Sequence, residues 1–293
     1  MSSYIAIDWG STNLRAWHYE NGECVDQRRS EAGVTRLAGR TAAEVFAEVT
    51  AGWPADRVPV VMAGMVGSNA GWQPVPYLSC PAALDQLASH LTRVENKAWI
   101  VPGMSVERAD NYNVMRGEET QLLGAATLHA APLYVMPGTH AKWVDVEGTE
   151  VRDFRTVMTG ELHHLLLTHS LIGAGLPDQQ ENSAAFHDGL ERGAQDTSIL
   201  SRLFEVRAAH VLGARDRRHV SEFLSGLLIG HEVAQMTQHI TPDPAQPIVI
   251  IAGDALARRY QQALQVIGLE SVTLEGDRAF QHGIRSIANV LAN

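Results

Sequence analysis

Two short stretches of this chain carry residue types that could handle phosphate. Asp8-Trp9-Gly10-Ser11-Thr12 follows the apolar run Ile5-Ala6-Ile7, and Pro137-Gly138-Thr139-His140 follows Leu133-Tyr134-Val135-Met136. An aspartate at a strand's end can hold Mg2+, usually through water. Small residues after it let backbone amides come close to phosphate oxygens. Taken singly, the first stretch is also what an ordinary Asp-Gly-Ser hairpin loop looks like. A third candidate, Gly64-Met65-Val66-Gly67-Ser68, follows a strand and suits a ligand-facing loop at the carboxyl end of a sheet. Arg15 and Arg116 are candidates for a carboxylate ligand, because a guanidinium grips one with two parallel bonds. No Gly-Lys pair and no GxGxxG occurs, which sets aside a Walker loop and a Rossmann fingerprint. His163, His164 and His169 lie at offsets of one, five and six, so no two share a helix face at i, i+4 as a metal pair would.

The elements that must position these residues come in two similar blocks. In the first, residues 5–7 and 14–19 read as strands, and Asn21-Gly22 is a type I′ hairpin signal before a third strand near 23–28. In the second, 133–136 and 142–146 read as strands, with a turn at Glu147-Gly148. Gly10 and Gly22 are 12 residues apart, and Gly138 and Gly148 are 10 apart, so both halves open with strand, small-residue turn and hairpin. Further buried strands are expected at 58–63, 99–101 and 247–252. Helical spacing covers 41–51, 82–93, 117–131, 160–171, 196–212, 219–238, 255–267 and 280–291. Strands alternating with helices predict an α/β fold with a mostly parallel sheet in each half.

Length and composition agree. The 293 residues suit about two domains of roughly 150. With 45% hydrophobic and only 6% aromatic residues, the core must be mostly aliphatic. The net charge of −10 argues against a broad nucleic-acid-binding surface, while leaving room for a local basic pocket. Only two of the 23 basic residues are lysines, Lys97 and Lys142. Cys24 and Cys80 make neither a disulfide framework nor a zinc motif. No apolar run approaches a membrane span, and no leader-like segment opens the chain, so a cytoplasmic protein is expected.

In combination these stretches resemble the sugar kinase/Hsp70/actin ATPase superfamily. Its two phosphate motifs and adenosine motif look like Asp8-Trp9-Gly10-Ser11-Thr12, Pro137-Gly138-Thr139-His140 and Ile250-Ile251-Ala252-Gly253-Asp254-Ala255. Within it the chain is similar to the 2-dehydro-3-deoxygalactonokinase family. Ala63-Gly64-Met65-Val66-Gly67-Ser68, Met115-Arg116-Gly117-Glu118-Glu119-Thr120-Gln121, Pro137-Gly138-Thr139-His140-Ala141-Lys142-Trp143-Val144, Met158-Thr159-Gly160-Glu161-Leu162 and Leu224-Ser225-Gly226-Leu227-Leu228-Ile229-Gly230 carry the likeness. Gly253-Asp254 departs from the superfamily's usual paired glycines, which weakens the adenine assignment there.

The resemblance implies two ribonuclease-H-like lobes with an interdomain ATP cleft. The expected N-terminal lobe is 1–130, with the helix at 278–293 packing back on it, and the nucleotide-binding lobe is 131–277. The implied reaction is ATP-dependent phosphorylation of 2-dehydro-3-deoxy-D-galactonate at its 6-hydroxyl. Glu118 is then the general base, against the plainer reading of a first-turn acid favoured by the helix dipole. Asp8 serves catalysis by holding Mg2+ through water. The implied nucleotide contacts are Gly10, Ser11, Thr12, Gly138, Thr139, His140, Lys142, Ser225, Gly226 and Gly253. The implied sugar-acid contacts are Met65, Gly67, Ser68, Asn69 and Arg116. ATP, Mg2+ and a small sugar acid are the expected partners, without nucleic acid or membrane. Oligomeric state is not legible. A kinase for another sugar acid, such as 2-dehydro-3-deoxygluconate, and a non-enzymatic nucleotide-binding regulator remain as alternatives.

Overall fold

The computed structural model describes residues 3–95, 97–195 and 198–291, so the expected helix start at residue 196 lies outside the described residues. Along the chain the elements are β1 (Tyr4–Trp9), β2 (Leu14–Glu20), β3 (Glu23–Ser30), α1 (Ala42–Val49), β4 (Val60–Ala63), β5 (Leu78–Ser79), β6 (Ala82–Ala83), β7 (Thr92–Val94), β8 (Ala98–Ile100), β9 (Met104–Arg108), β10 (Asn111–Met115) and α2 (Glu118–Leu128). There follow β11 (Leu133–Met136), β12 (Ala141–Glu147), β13 (Glu150–Val157), α3 (Thr159–His169), α4 (Ser183–Gln195), α5 (Ile199–Val211), α6 (Val220–His239), β14 (Ile248–Ile251), α7 (Asp254–Val266), β15 (Ser271–Leu274) and α8 (Gly276–Leu291). They fall into two compact units. The first is Met1–Ala130, Val146–Phe154 and Glu275–Asn293, and the second is Ala131–Asp145 with Arg155–Leu274.

In the first unit the main sheet runs β3-β2-β1-β4-β8-β7. β1 pairs antiparallel with β2 and parallel with β4, and β4 pairs parallel with β8. The β2–β3 turn places Asn21 at φ 53° and Gly22 at φ 85°, the two left-handed residues that a type I′ turn requires. Another sheet contains the run β13-β12-β11-β14-β15, with β11 antiparallel to β12 and parallel to β14, and β14 parallel to β15. The order β3-β2-β1-β4-β8 is therefore repeated, the duplicated ribonuclease-H-like core that the resemblance implies. β1, β4, β11 and β14 are buried nearly throughout, which is why they read as apolar runs and not as alternating strands.

Two pairs of helices pack on one another through close glycine contacts. A Cβ on Gly124 of α2 would stand 1.8 Å from the Ala279 carbonyl of α8, and one on Gly283 would stand 1.9 Å from the Thr120 carbonyl. α4 and α6 interlock the same way: Gly189 and Gly193 face one helix, and Gly226 and Gly230 face the other. The expected helix over 82–93 is instead β6, a 3-10 helix at Leu84–Ser89 and β7. Leu84 and Leu87 are its buried residues, and a spacing of three suits the 3-10 period. α4 and the β9–β10 hairpin were not expected from the sequence. No described helix is long and apolar enough to cross a membrane.

Candidate active site

The first phosphate-type turn begins where β1 ends. Gly10 N–H donates to the Asn13 carbonyl (2.9 Å), and the turn is tied to the segment after β3 by Val34 N–H to Gly10 O (3.0 Å) and Thr35 N–H to Ser11 O (3.0 Å). Ser11 and Thr12 are exposed, and a cavity of about 570 Å³ opens beside them, lined in part by Asp8, Gly10, Thr12, Asn13, Arg15 and Arg29. Asp8 Oδ2 accepts from Arg15 Nη2, and Arg15 Nη1 donates to Asp277 Oδ1. Arg29 stands 3.7 Å from the other oxygen of Asp277. Arg15 is thus neither a plain surface arginine nor open to a ligand carboxylate, because two protein carboxylates already hold it. Asp277, 262 residues away in sequence, has no local signal that marks it.

The same unit brings two further segments to Asp8. Gly64, at φ +97°, lies so close that a Cβ there would meet the Trp9 carbonyl at 2.8 Å and Asp8 Oδ1 at 3.5 Å. Gly117, at φ +110°, packs on Gly64, with its would-be Cβ 3.2 Å from the Gly64 Cα. Both need the left-handed region that glycine enters without strain. Glu118 opens α2 beside this contact, and its Oε2 accepts from the Arg116 N–H at 2.9 Å. Glu119 is fully buried and accepts from the Gly117 N–H at 2.7 Å. Burial, then the charge of Glu118, pushes its carboxyl up to about 8, so Glu119 is largely protonated at neutral pH.

Arg116 is arranged differently from Arg15. Its Nη2 donates to the Val75 carbonyl (2.7 Å), and its Cζ sits 4.2 Å from the Tyr77 ring centroid. Nε and Nη1 are buried without a hydrogen-bond partner among the described residues. Gly67 makes room for it, since a Cβ there would stand 2.8 Å from Nη1. Two unpaired donors on a buried guanidinium are costly, and a bound carboxylate would relieve part of that cost. Of the other expected sugar-acid residues, Met65 is half-buried, Ser68 turns its hydroxyl back to the Met65 carbonyl (2.8 Å), and Asn69 is exposed. Tyr77 escaped the sequence reading.

In the second unit, Thr139 and His140 are exposed at the turn between β11 and β12, and His140 pairs with Glu161 of α3. Lys142, expected beside phosphate, is instead buried at 5% exposure, and its ammonium donates to Thr156 of β13 at 2.9 Å. β12 is buried on both faces at this level. Ser225 accepts from Arg259 Nη1 (3.1 Å), and Arg259 also binds Glu222 (2.7 Å) and lies over the Phe186 ring. Gly226 has a packing role, because a Cβ would meet the Phe186 carbonyl at 2.0 Å. A cavity of about 410 Å³ adjoins the start of α7, lined in part by Phe186, Glu222, Ala255, Arg258, Arg259 and Gln262.

Three glycines of the expected nucleotide motifs lack such packing neighbours, as do the turn glycines Gly39, Gly52, Gly148, Gly213 and Gly268. Beyond a Cβ at Gly10 the nearest atom is 3.5 Å away, at Gly138 it is 3.9 Å, and at Gly253 nothing lies within 4 Å. The fold leaves space there, open to a phosphate chain that must approach backbone. Among the described residues no group of three or more His, Cys, Asp or Glu gathers as a metal ligand set. A nucleotide-bound Mg2+ takes one or two carboxylates with waters and phosphates, so the second oxygen of Asp8, facing Gly64, fits that need.

A model of the family described as 2-keto-3-deoxy-galactonokinase matches residues 8–287. The chain is 59% identical over 290 residues to the 2-dehydro-3-deoxygalactonokinase of Escherichia coli strain K12, covering 99% of each. A crystal structure from Sinorhizobium meliloti, of a protein assigned as a candidate 2-dehydro-3-deoxygalactonokinase, aligns at TM-score 0.90 with 32% identity, covering 98% of this chain and 99% of that one. The activator of the 2-hydroxyisocaproyl-CoA dehydratase from Clostridium difficile aligns at TM-score 0.57 with 12% identity over 99% and 95%, which shares the fold alone. The chain belongs to the 2-keto-3-deoxy-galactonokinase family.

Proposed function

We propose that this member of the family transfers the γ-phosphoryl group of ATP to the 6-hydroxyl of 2-dehydro-3-deoxy-D-galactonate, giving the 6-phosphate and ADP, and that it does so in the cytoplasm. The observation that carries the reading is Arg116: a guanidinium stacked on Tyr77, with two buried donors unpaired, one peptide bond from the turn that presents Glu118. Arg116 receives the sugar-acid carboxylate, and the loop from Met65 to Asn69 lines the sugar. Glu118 takes the proton of the attacking hydroxyl as the new O–P bond forms and the bond to the β-phosphate oxygen breaks. A primary hydroxyl is a poor nucleophile at neutral pH, so a carboxylate placed to take its proton is useful.

The nucleotide belongs chiefly to the second unit. Backbone at Gly138 and Thr139 receives phosphates, and the space beside Gly253, Arg259 and Glu222 receives the nucleoside end. In the first unit, Gly10, Ser11 and Thr12 offer backbone and hydroxyl donors to the transferred phosphoryl. Asp8 would hold Mg2+ through water, and the ion supplies charge neutralisation on the phosphoryl oxygens when bound. A coupled ADP-release assay across 2-dehydro-3-deoxy sugar acids tests the reading. ADP should appear only with a sugar acid present; nucleotide binding without turnover on any of them would leave a regulator on the same fold.

A further inference from the structure

Glu232 is a carboxylate that the reaction does not use. It lies on α6 at 2% exposure, in the core of the second unit. Its Oε1 accepts from Trp143 Nε1 at 2.8 Å, and its Oε2 accepts from the Tyr260 hydroxyl at 2.7 Å and from the Thr159 hydroxyl. All three partners are neutral. Taking a carboxylate out of water with neutral donors alone is costly, and an apolar residue in such a place often leaves a protein as stable or more so. A demand for geometry explains its presence better than one for stability.

The three partners stand on the elements around the second phosphate-type turn. Trp143 is on β12, the strand that leaves the turn, and Tyr260 is on α7, which starts at the adenosine-type motif. Thr159 is the first residue of α3, and that end of α3 lies against the turn without spare room. A Cβ at Gly160 would stand 2.5 Å from the Gly138 carbonyl and 2.9 Å from the Thr139 Cα. The Glu161 N–H donates to the Thr139 carbonyl at 3.0 Å. The chain of contacts runs from Glu232 to Thr159 to the backbone of 138–139.

We propose that Glu232 is a positioning residue for nucleotide binding: by holding the Thr159 hydroxyl it fixes the start of α3, and thereby the backbone of Gly138 and Thr139. The proposal rests on the reading that this turn receives nucleotide phosphates. Thr159→Val and Tyr260→Phe each remove one hydroxyl from the same carboxylate oxygen, but only the first breaks the route to the turn. Thr159→Val should raise the Kd for ADP, by calorimetry, and the KM for ATP roughly tenfold, as a misplaced binding group does. The KM for the sugar acid should stay near wild type, Thr159→Ser should restore ATP binding, and Tyr260→Phe should affect stability more than KM. Should Thr159→Val not fold, Thr159→Ala is read the same way. Equal effects of the Thr159 and Tyr260 variants on ADP binding would overturn the proposal, leaving Glu232 a structural group. Gly138→Ala separates the premise from the inference. If it leaves ATP binding unchanged, the turn does not bind phosphate and the proposal falls with it. If it weakens ATP binding while the Thr159 variants do not, the inference alone is wrong.

Discussion

The two phosphate-type turns follow matching strands in matching sheets, yet what lies beneath them differs. At the first turn, Asp8 is held by Arg15, and Arg15 by Asp277, in a part-buried chain of charges whose arginine is 29% exposed. At the second, a buried carboxylate is held by an indole and two hydroxyls, and glycine at 160 lets α3 close on the backbone. Duplicated topology therefore sets where a turn falls, while the side chains below it set what it can do.

Substitutions in the two regions should separate along that line. The largest effect belongs to Glu118→Gln, which keeps size but cannot take a proton; kcat should fall roughly 10²–10⁴-fold with little change in either KM. Glu119→Gln should leave kcat near wild type, because an amide mimics the protonated acid that burial makes of Glu119. If Glu119→Gln were the more damaging, the base would be assigned one residue out.

Next come the glycines. Gly160→Ala has no room and should destabilise the chain by about 1–3 kcal/mol. Gly138→Ala has room in the protein, so thermal stability should hold while the KM for ATP rises. Loss of stability in both would mean that the open space at Gly138 serves folding.

Glu119 also gives a pH signature. Its carboxyl is raised from the ordinary 4.5 to about 8 in the folded chain, so between those values the native state binds more protons than the unfolded state. Its contribution is fully present below pH 4.5 and is lost as pH rises toward 8, at up to about 1.4 kcal/mol per pH unit. Denaturation of the wild type and Glu119→Gln at pH 5 and pH 8 should show the wild type losing ground to the variant at the higher pH. Parallel curves would remove Glu119 as the cause.

The smallest effect is at Asp277. Asp277→Asn should weaken the hold on Arg15, and the loss of activity should vary with salt because the pair is part-exposed. Thr159→Val, by contrast, should act alike at low and high salt. The same salt response in both would erase the distinction between the two turns.

Local chemistry explains what could be read in advance. The central sheet strands β1–β4, β8, β11, β12 and β14, the Asn21-Gly22 hairpin and the small-residue turns rest on neighbours in sequence, and they were legible. α4 was not, since Gly189 and Gly193 look like loop residues and become helical only because α6 needs their bare faces. The burial of Lys142 could not be read either, because its place in sequence does not reveal that β12 is covered on both sides. Asp277 and Glu232 act across 262 and as many as 89 residues, and no spacing rule reaches that far.

The most direct test offers the protein equal amounts of 2-dehydro-3-deoxy-D-galactonate and its gluconate epimer with limiting ATP, and follows the products by phosphorus and carbon NMR. The galactonate epimer should be consumed first, with one ADP for each phosphate and the new phosphate on the 6-oxygen. Preferential phosphorylation of the gluconate epimer, or ADP formed without a sugar 6-phosphate, would contradict the assignment.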